Sequence, residues 1–222
     1  LELDQNDILS SGETKMQARI ERNRAILKAT GIAMNDILAN GSDGMGGPFI
    51  AVDGKKDTLR ASEFLPRLDS IKARAHEVET LSKALNAMPL GYPVDAENYR
   101  TSDFGRRTDP FTKRPTQHSG VDIASYRNAP IIATAPGKVT FSGVRDGYGR
   151  VVEIDHGYGF VTRYAHLEKT FVKRGQIIEK GEKIAGMGSS GRSTSTHVHY
   201  EVMFEKRQKD PDNFLKAGQY VQ

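Results

Sequence analysis

Thr196-His197-Val198-His199-Tyr200-Glu201-Val202 alternates polar and apolar positions and is rich in β-branched and aromatic residues. This is the pattern of a β-strand whose side chains two apart share a face, so His197 and His199 project to the same side. Two imidazoles on one strand face can both ligate one metal, or one can ligate while the other handles a proton beside it. Two residues complete neither task. Upstream, His118-Ser119-Gly120-Val121-Asp122 offers an imidazole and a carboxylate. Their spacing would bring them together on a helix, but Gly120 and the β-branched Val121 and Ile123 favour an extended or looped segment, where positions 118 and 122 again share a face. The chain has six histidines and no cysteine, which removes thiolate ligands and disulfides. Two imidazoles and a carboxylate, with an imidazole to spare, match a catalytic zinc site with an open fourth position. Structural zinc sites are usually closed by four ligands.

The composition sets wider bounds. At 222 residues with 37% hydrophobic content, the chain can hold one sizeable domain plus an accessory element. No apolar run is long enough to span a membrane. The net charge of +4 comes from interspersed acidic and basic residues without a dense Lys/Arg block, so no nucleic-acid partner is expected. A start at Leu1 rather than Met reads as a fragment or mature form, with any signal or membrane anchor lying before it.

The first half reads as helical. After a polar start broken at Ser10-Ser11-Gly12, Met16, Ile20, Leu27, Met34 and Ile37 fall on a three-four spacing, with Asn23 and Thr30 in the same seam and Gly31 weakening it locally. Asn40-Gly41-Ser42-Asp43-Gly44 ends this helix, and Gly46-Gly47-Pro48-Phe49-Ile50 extends the interruption. Phe64, Leu68, Ile71, Ala75, Val78 and Leu85 then run in heptad-like register, with Leu81 widening the face and Pro66 in a first turn starting near Leu65. Two narrow-striped helices joined by a glycine-rich connector predict an antiparallel helical hairpin or coiled coil over residues 1–88. It is a spacer or a docking and regulatory element, with His76 solvated among charges.

Pro89-Leu90-Gly91-Tyr92-Pro93 stops the helix and opens a linker over 89–98. From 99 to 222 the texture changes to short β runs at 129–135, 138–144, 150–155, 160–166, 182–187 and 197–204, separated by glycine turns. This predicts a mainly antiparallel β domain and, with the helices, an α+β chain.

Several motifs here occur in order: His118-Ser119-Gly120-Val121-Asp122, Tyr164-Ala165-His166-Leu167, and Gly191-Arg192-Ser193-Thr194 leading into His197-Val198-His199-Tyr200-Glu201-Val202. With Asp103-Phe104-Gly105-Arg106-Arg107, Ala135-Pro136-Gly137-Lys138-Val139 and Asp155-His156-Gly157, this half resembles the lysostaphin-type or LytM-like zinc endopeptidases, metallopeptidase family 23, from about Tyr99 to Phe204. The resemblance implies zinc held by His118, Asp122 and His199, with His197 as general base. His166 would be a second active-site histidine that donates toward the oxyanion or orients the water. It implies endopeptidase cleavage of peptidoglycan cross-links, with peptide stems as substrate, and export to the periplasm or cell envelope. The alternative is a non-enzymatic envelope or divisome factor that activates another hydrolase, docking its partner through the helices. An intermediate case is an enzyme inhibited by those helices. Arg106, Arg107 and Arg192 are candidate contacts for substrate carboxylates. Tyr148 and Tyr158 are candidates for lining the groove, and His156 is expected in a structural turn.

Overall fold

The computed structural model describes residues 2–40 and 61–220, which divide into two units. One comprises the described residues of 1–28 and 32–85, the other residues 29–31 and 86–220.

Three helices, α1 Glu2–Thr30, α2 Met34–Asn40 and α3 Ala61–Ala87, supply the first unit, apart from residues 29–30 and 86–87 at the ends of α1 and α3. The helix runs through Ser10-Ser11-Gly12, contrary to the expected break. One interior glycine costs only about 1 kcal/mol against alanine, and the Thr14 hydroxyl bonds back to the Ser10 carbonyl at 2.9 Å within the helix. Gly31 does more than weaken the pattern. Its φ of +72° is the left-handed turn that glycine adopts after a helix, and α1 ends there. α3 begins at Ala61 rather than near Leu65, so Pro66 falls in the second turn and removes one helical hydrogen bond. The expected connector at 41–50 lies outside the described residues, as do the side chains of Phe64 and Leu68. Ile20, Asn23, Leu27 and Ile37 are buried, as are Val78, Leu81 and Ala84 on α3. Arg24 donates to Glu77 at 2.7 Å and ties α1 to α3. Among the described residues no helix is long and apolar enough to cross a membrane.

The second unit carries twelve strands among the described residues: β1 Tyr99–Ser102, β2 Gly105–Thr108, β3 Pro115–His118, β4 Val121–Ala124, β5 Pro130–Ile132, β6 Gly137–Arg145, β7 Gly149–Gly157, β8 Phe160–Thr170, β9 Ile177–Ile178, β10 Lys183–Met187, β11 His197–Phe204 and β12 Arg207–Lys209. α4, Pro211–Gly218, follows, with the Asp210 side chain accepting from the Asp212 N–H at its N-terminus. The main sheet runs β1-β4-β11-β8-β7-β6-β9, with β5, β10 and β12 attached, while β2 and β3 form a separate hairpin. The pairings between these strands are antiparallel.

Each of the six expected β runs contains a strand. β1, β2, β3, β9, β12 and α4 were not expected, because they are short and carry too few apolar residues for a period to register. β11 lies mid-sheet between β4 and β8. Val198, Tyr200 and Val202 alternate with His197, His199 and Glu201 along it, and all six are buried. Tyr200 is register-paired with Tyr164, and their rings lie 5.3 Å apart.

Candidate metal centre and active site

His118 and Asp122 do not sit on one strand. His118 ends β3 in the hairpin and Asp122 lies in β4 of the main sheet, so the chain must turn at Ser119-Gly120. A Cβ on Gly120 would lie 2.3 Å from the Tyr200 carbonyl oxygen, so only glycine lets this turn press against β11. The turn, rather than a shared strand face, carries His118 over Asp122. Asp122 is register-paired with His199, and the three residues form a buried cluster able to hold a metal ion.

Proton positions in the cluster follow from its outer partners. His118 Nδ1–H donates to the Asp103 carbonyl at 2.7 Å. A carbonyl has no proton to give, so in the neutral ring Nε2 is bare. His199 Nε2–H donates to Glu201 Oε1 at 3.0 Å, which leaves Nδ1 bare. The two bare nitrogens lie 3.0 Å apart, and Asp122 Oδ1 lies 3.1 Å from His118 Nε2 and 2.8 Å from His199 Nδ1. With both rings neutral, three lone pairs thus converge with no proton between them. A tetrahedral zinc with bonds of about 2.0–2.1 Å sets its ligand atoms roughly 3.3–3.4 Å apart, close to this triangle. Arg107 donates to Asp122 Oδ2 at 3.3 Å and to Ser102 Oγ at 2.6 Å, which leaves Oδ1 for the cluster.

The triangle draws positive charge, whether a proton or a metal ion. Burial opposes ionisation of Asp122, but hydrogen bonds from His118 and His199 outweigh it and hold the carboxyl well below its usual range. Burial also disfavours charge on His199, yet hydrogen bonds to Asp122 and Glu201 outweigh it and raise the imidazole above its ordinary value.

His197 and His166 stand beside the cluster, their ring centroids 4.8 Å apart. His197 Nδ1–H donates to the Ser195 carbonyl at 2.8 Å, and its bare Nε2 lies 3.8 Å from Asp122 Oδ1. His166 Nδ1–H donates to the Ser190 carbonyl at 2.8 Å, so its Nε2 is bare as well. Burial pushes the His166 imidazole down to about 4, which keeps it neutral at ordinary pH. A neutral ring with its proton on Nδ1 has none to give an oxyanion from Nε2, so of the two expected roles for His166 the geometry favours orienting water. His166 also holds φ at +60°, an uncommon backbone state of the kind found at functional sites.

A cavity of about 230 Å³ opens here, lined by Arg107, Phe111, Gln117, Tyr148, Arg192 and the four histidines 118, 166, 197 and 199, among others. Arg106 is not in its lining. Period-two alternation along β2 turns Arg106 outward and Arg107 inward, so Arg107 is the arginine at the site. Arg192 lines the cavity, but both Asp109 carboxylate oxygens accept from its Nη2 at 2.7 and 2.9 Å, and its guanidinium lies over Phe111. The Tyr148 hydroxyl donates to Glu201 Oε1 at 2.9 Å. His156 lies elsewhere in the sheet, its Nδ1–H donating to the Pro136 carbonyl at 2.7 Å and its Nε2 2.8 Å from the Thr162 hydroxyl.

The sequence reading did not single out Glu201, Arg163 or Asp109. Glu201 carried a signal, since it shares the parity of His197 and His199 along a strand buried on both faces.

The model of Peptidase family M23 matches residues 116–211. The chain is 40% identical over 134 residues to the peptidoglycan DD-endopeptidase ShyB of Vibrio cholerae, covering 59% of this chain and 30% of ShyB. It is 31% identical over 142 residues to the murein hydrolase activator NlpD of Salmonella typhimurium, covering 64% of this chain and 37% of NlpD. A crystal structure of a zinc containing peptidase from Vibrio cholerae superposes with a TM-score of 0.50 at 41% identity, over 54% of this chain and 37% of that one. The chain thus spans less than two-fifths of the length of each of these three relatives.

Proposed function

Since residues 116–211 belong to peptidase family M23, we propose that this chain is a zinc-dependent endopeptidase hydrolysing the peptide cross-links of bacterial peptidoglycan. The observation that carries the reading is the convergence of His118 Nε2, Asp122 Oδ1 and His199 Nδ1 within 3.1 Å of one another in a buried triangle that draws positive charge. Similarity to ShyB and to the zinc containing peptidase supports the substrate class and the metal. Zinc held by these three residues would act as a Lewis acid and make water nucleophilic near neutral pH.

The chain's own residues carry the remaining chemistry. His197 Nε2 takes a proton from the attacking water and passes it to the leaving amine. His166 Nε2 accepts the water's other hydrogen and fixes its orientation. Arg107 holds the second oxygen of Asp122, and the Tyr148 ring forms part of the groove wall. In this reading residues 99–222 are the peptidase domain and 89–98 a linker. Residues 1–88 form a coiled-coil hairpin, supported by the Arg24–Glu77 bond and the buried Leu27 and Leu81, which docks a partner or inhibits the enzyme. The setting is the periplasm.

Likeness to NlpD favours a second reading, in which the chain activates another hydrolase. The full set of ligand atoms and two bare imidazole nitrogens weighs against it. The test is digestion of cross-linked sacculi by the purified protein alone. Release of uncross-linked muropeptides, lost on chelation and restored by zinc, is expected. Bound zinc without release would favour the activator.

A further inference from the structure

Glu201 follows His199 by two residues on β11 and is fully buried, at 0% exposure. A carboxylate in that position is costly to desolvate unless it is paired and fully hydrogen-bonded. Four donors meet it. Oε1 accepts from Ser119 Oγ at 2.5 Å, Tyr148 Oη at 2.9 Å and His199 Nε2 at 3.0 Å, and Oε2 accepts from Arg163 at 2.8 Å. Strand register supplies the counter-charge, because Arg163 is paired with Glu201 on one side and with Glu153 on the other. Arg163 donates to Glu153 at 2.7 Å, and Arg145 donates to Glu153 at 2.9 Å. Arg145, Glu153, Arg163 and Glu201 thus form an alternating row across β6, β7, β8 and β11, ending on the imidazole of His199.

Stability gives this row little purpose. A buried ion pair is often matched or bettered by well-packed apolar residues, and the same strands place Val152, Tyr164 and Tyr200 on their other parity. What a carboxylate does here that an apolar side chain cannot is accept the proton of His199 Nε2. A histidine ligand whose other N–H is held this way is fixed in tautomer and orientation, and its ligating nitrogen becomes more basic.

We propose that Glu201 is a positioning residue for His199, holding its proton on Nε2 so that Nδ1 faces the metal, with Arg163 as the cation that makes the buried carboxylate tenable. The proposal rests on the zinc reading above and adds to it a determinant of metal affinity.

The test is zinc affinity, measured on the full chain by competition with a chromophoric chelator, with ring ¹⁵N shifts of His199 as a second readout. Wild type should hold one zinc, with Nε2 protonated and Nδ1 metal-bound. Glu201→Gln should weaken zinc binding by about 10- to 100-fold and, at saturating zinc, lower kcat more than it raises KM. Because Glu201→Gln leaves Arg163 facing a neutral group and endangers folding, the double variant Glu201→Gln/Arg163→Gln removes both charges together. It should fold and show the same loss of zinc affinity. Either variant, folded and binding zinc as tightly as wild type with unchanged ¹⁵N shifts, would overturn the proposal. Wild type that takes up no zinc would instead refute the reading beneath it.

Discussion

Two buried histidine networks lie in the second unit, and their proton inventories differ. At His156 the Nδ1 proton meets the Pro136 carbonyl, and Nε2 faces the Thr162 hydroxyl, which continues to Tyr164, Thr134 and Tyr200. The one bare ring nitrogen there faces a hydroxyl that can turn its proton toward it, so this histidine needs no cation. At His118 and His199 the protons are drawn outward, to Asp103 and Glu201, and the inward lone pairs face only one another and Asp122. The first arrangement is closed by its own hydrogen bonds, whereas the second leaves its centre to a proton or a metal ion. Burial does not separate them, since the His156, His118 and His199 side chains are all buried. What separates a structural histidine from a ligand is where its second nitrogen sends its proton.

The comparison breaks most sharply at His199. His199→Ala should abolish both zinc retention and sacculus hydrolysis, read by metal analysis and muropeptide release. Zinc held at wild-type occupancy by the variant would place the metal elsewhere. His197→Ala should keep its zinc and lose about 10²- to 10⁴-fold in turnover, the range for removing a general base. Cleavage at the wild-type rate would remove His197 from that role.

The self-contained network predicts an acid response. Burial pushes the His156 imidazole from its ordinary 6.5 to about 4. The unfolded chain therefore takes up a proton at this residue between those values while the folded chain does not. Stability from the neutral ring is complete above pH 6.5 and lost as pH falls toward 4, by roughly 3 kcal/mol. Urea melts of metal-free wild type and His156→Gln at pH 7 and pH 4 should show the gap between them shrinking by about that amount. A gap independent of pH would contradict the burial argument. The smallest effect is expected at Arg106→Ala, which should leave stability within about 0.5 kcal/mol and zinc affinity unchanged. Arg107→Ala frees Asp122 Oδ2 and should weaken zinc binding. Equal effects of the two would undo the alternation assigned to β2.

Alternation and turn spacing made the long strands readable, because β6, β7, β8 and β11 each carry enough apolar residues for a period to register. The hairpin of β2 and β3 was not readable, since Gly105-Arg106-Arg107-Thr108 and Pro115-Thr116-Gln117-His118 hold almost no apolar residues and are ordered by their place beside the site. That loss hid which arginine faces the cavity. His118 and Asp122 were paired in the sequence through a shared strand face, whereas a glycine turn against β11 brings them together. Glu201 and Arg163 went unnoticed because their pairing depends on the register between β8 and β11, which separates them by 38 positions in the chain. Gly31 marked a weak point in the first helix, but whether a glycine bends or ends a helix depends on its φ, which composition does not carry.

The most direct measurement is muropeptide release from purified cross-linked sacculi by metal-stripped protein titrated with zinc. Release should rise in proportion to zinc added and level off at one zinc per chain. One zinc bound per chain without release, or release that ignores zinc, would contradict the assignment of the His118, Asp122 and His199 cluster as the catalytic metal centre.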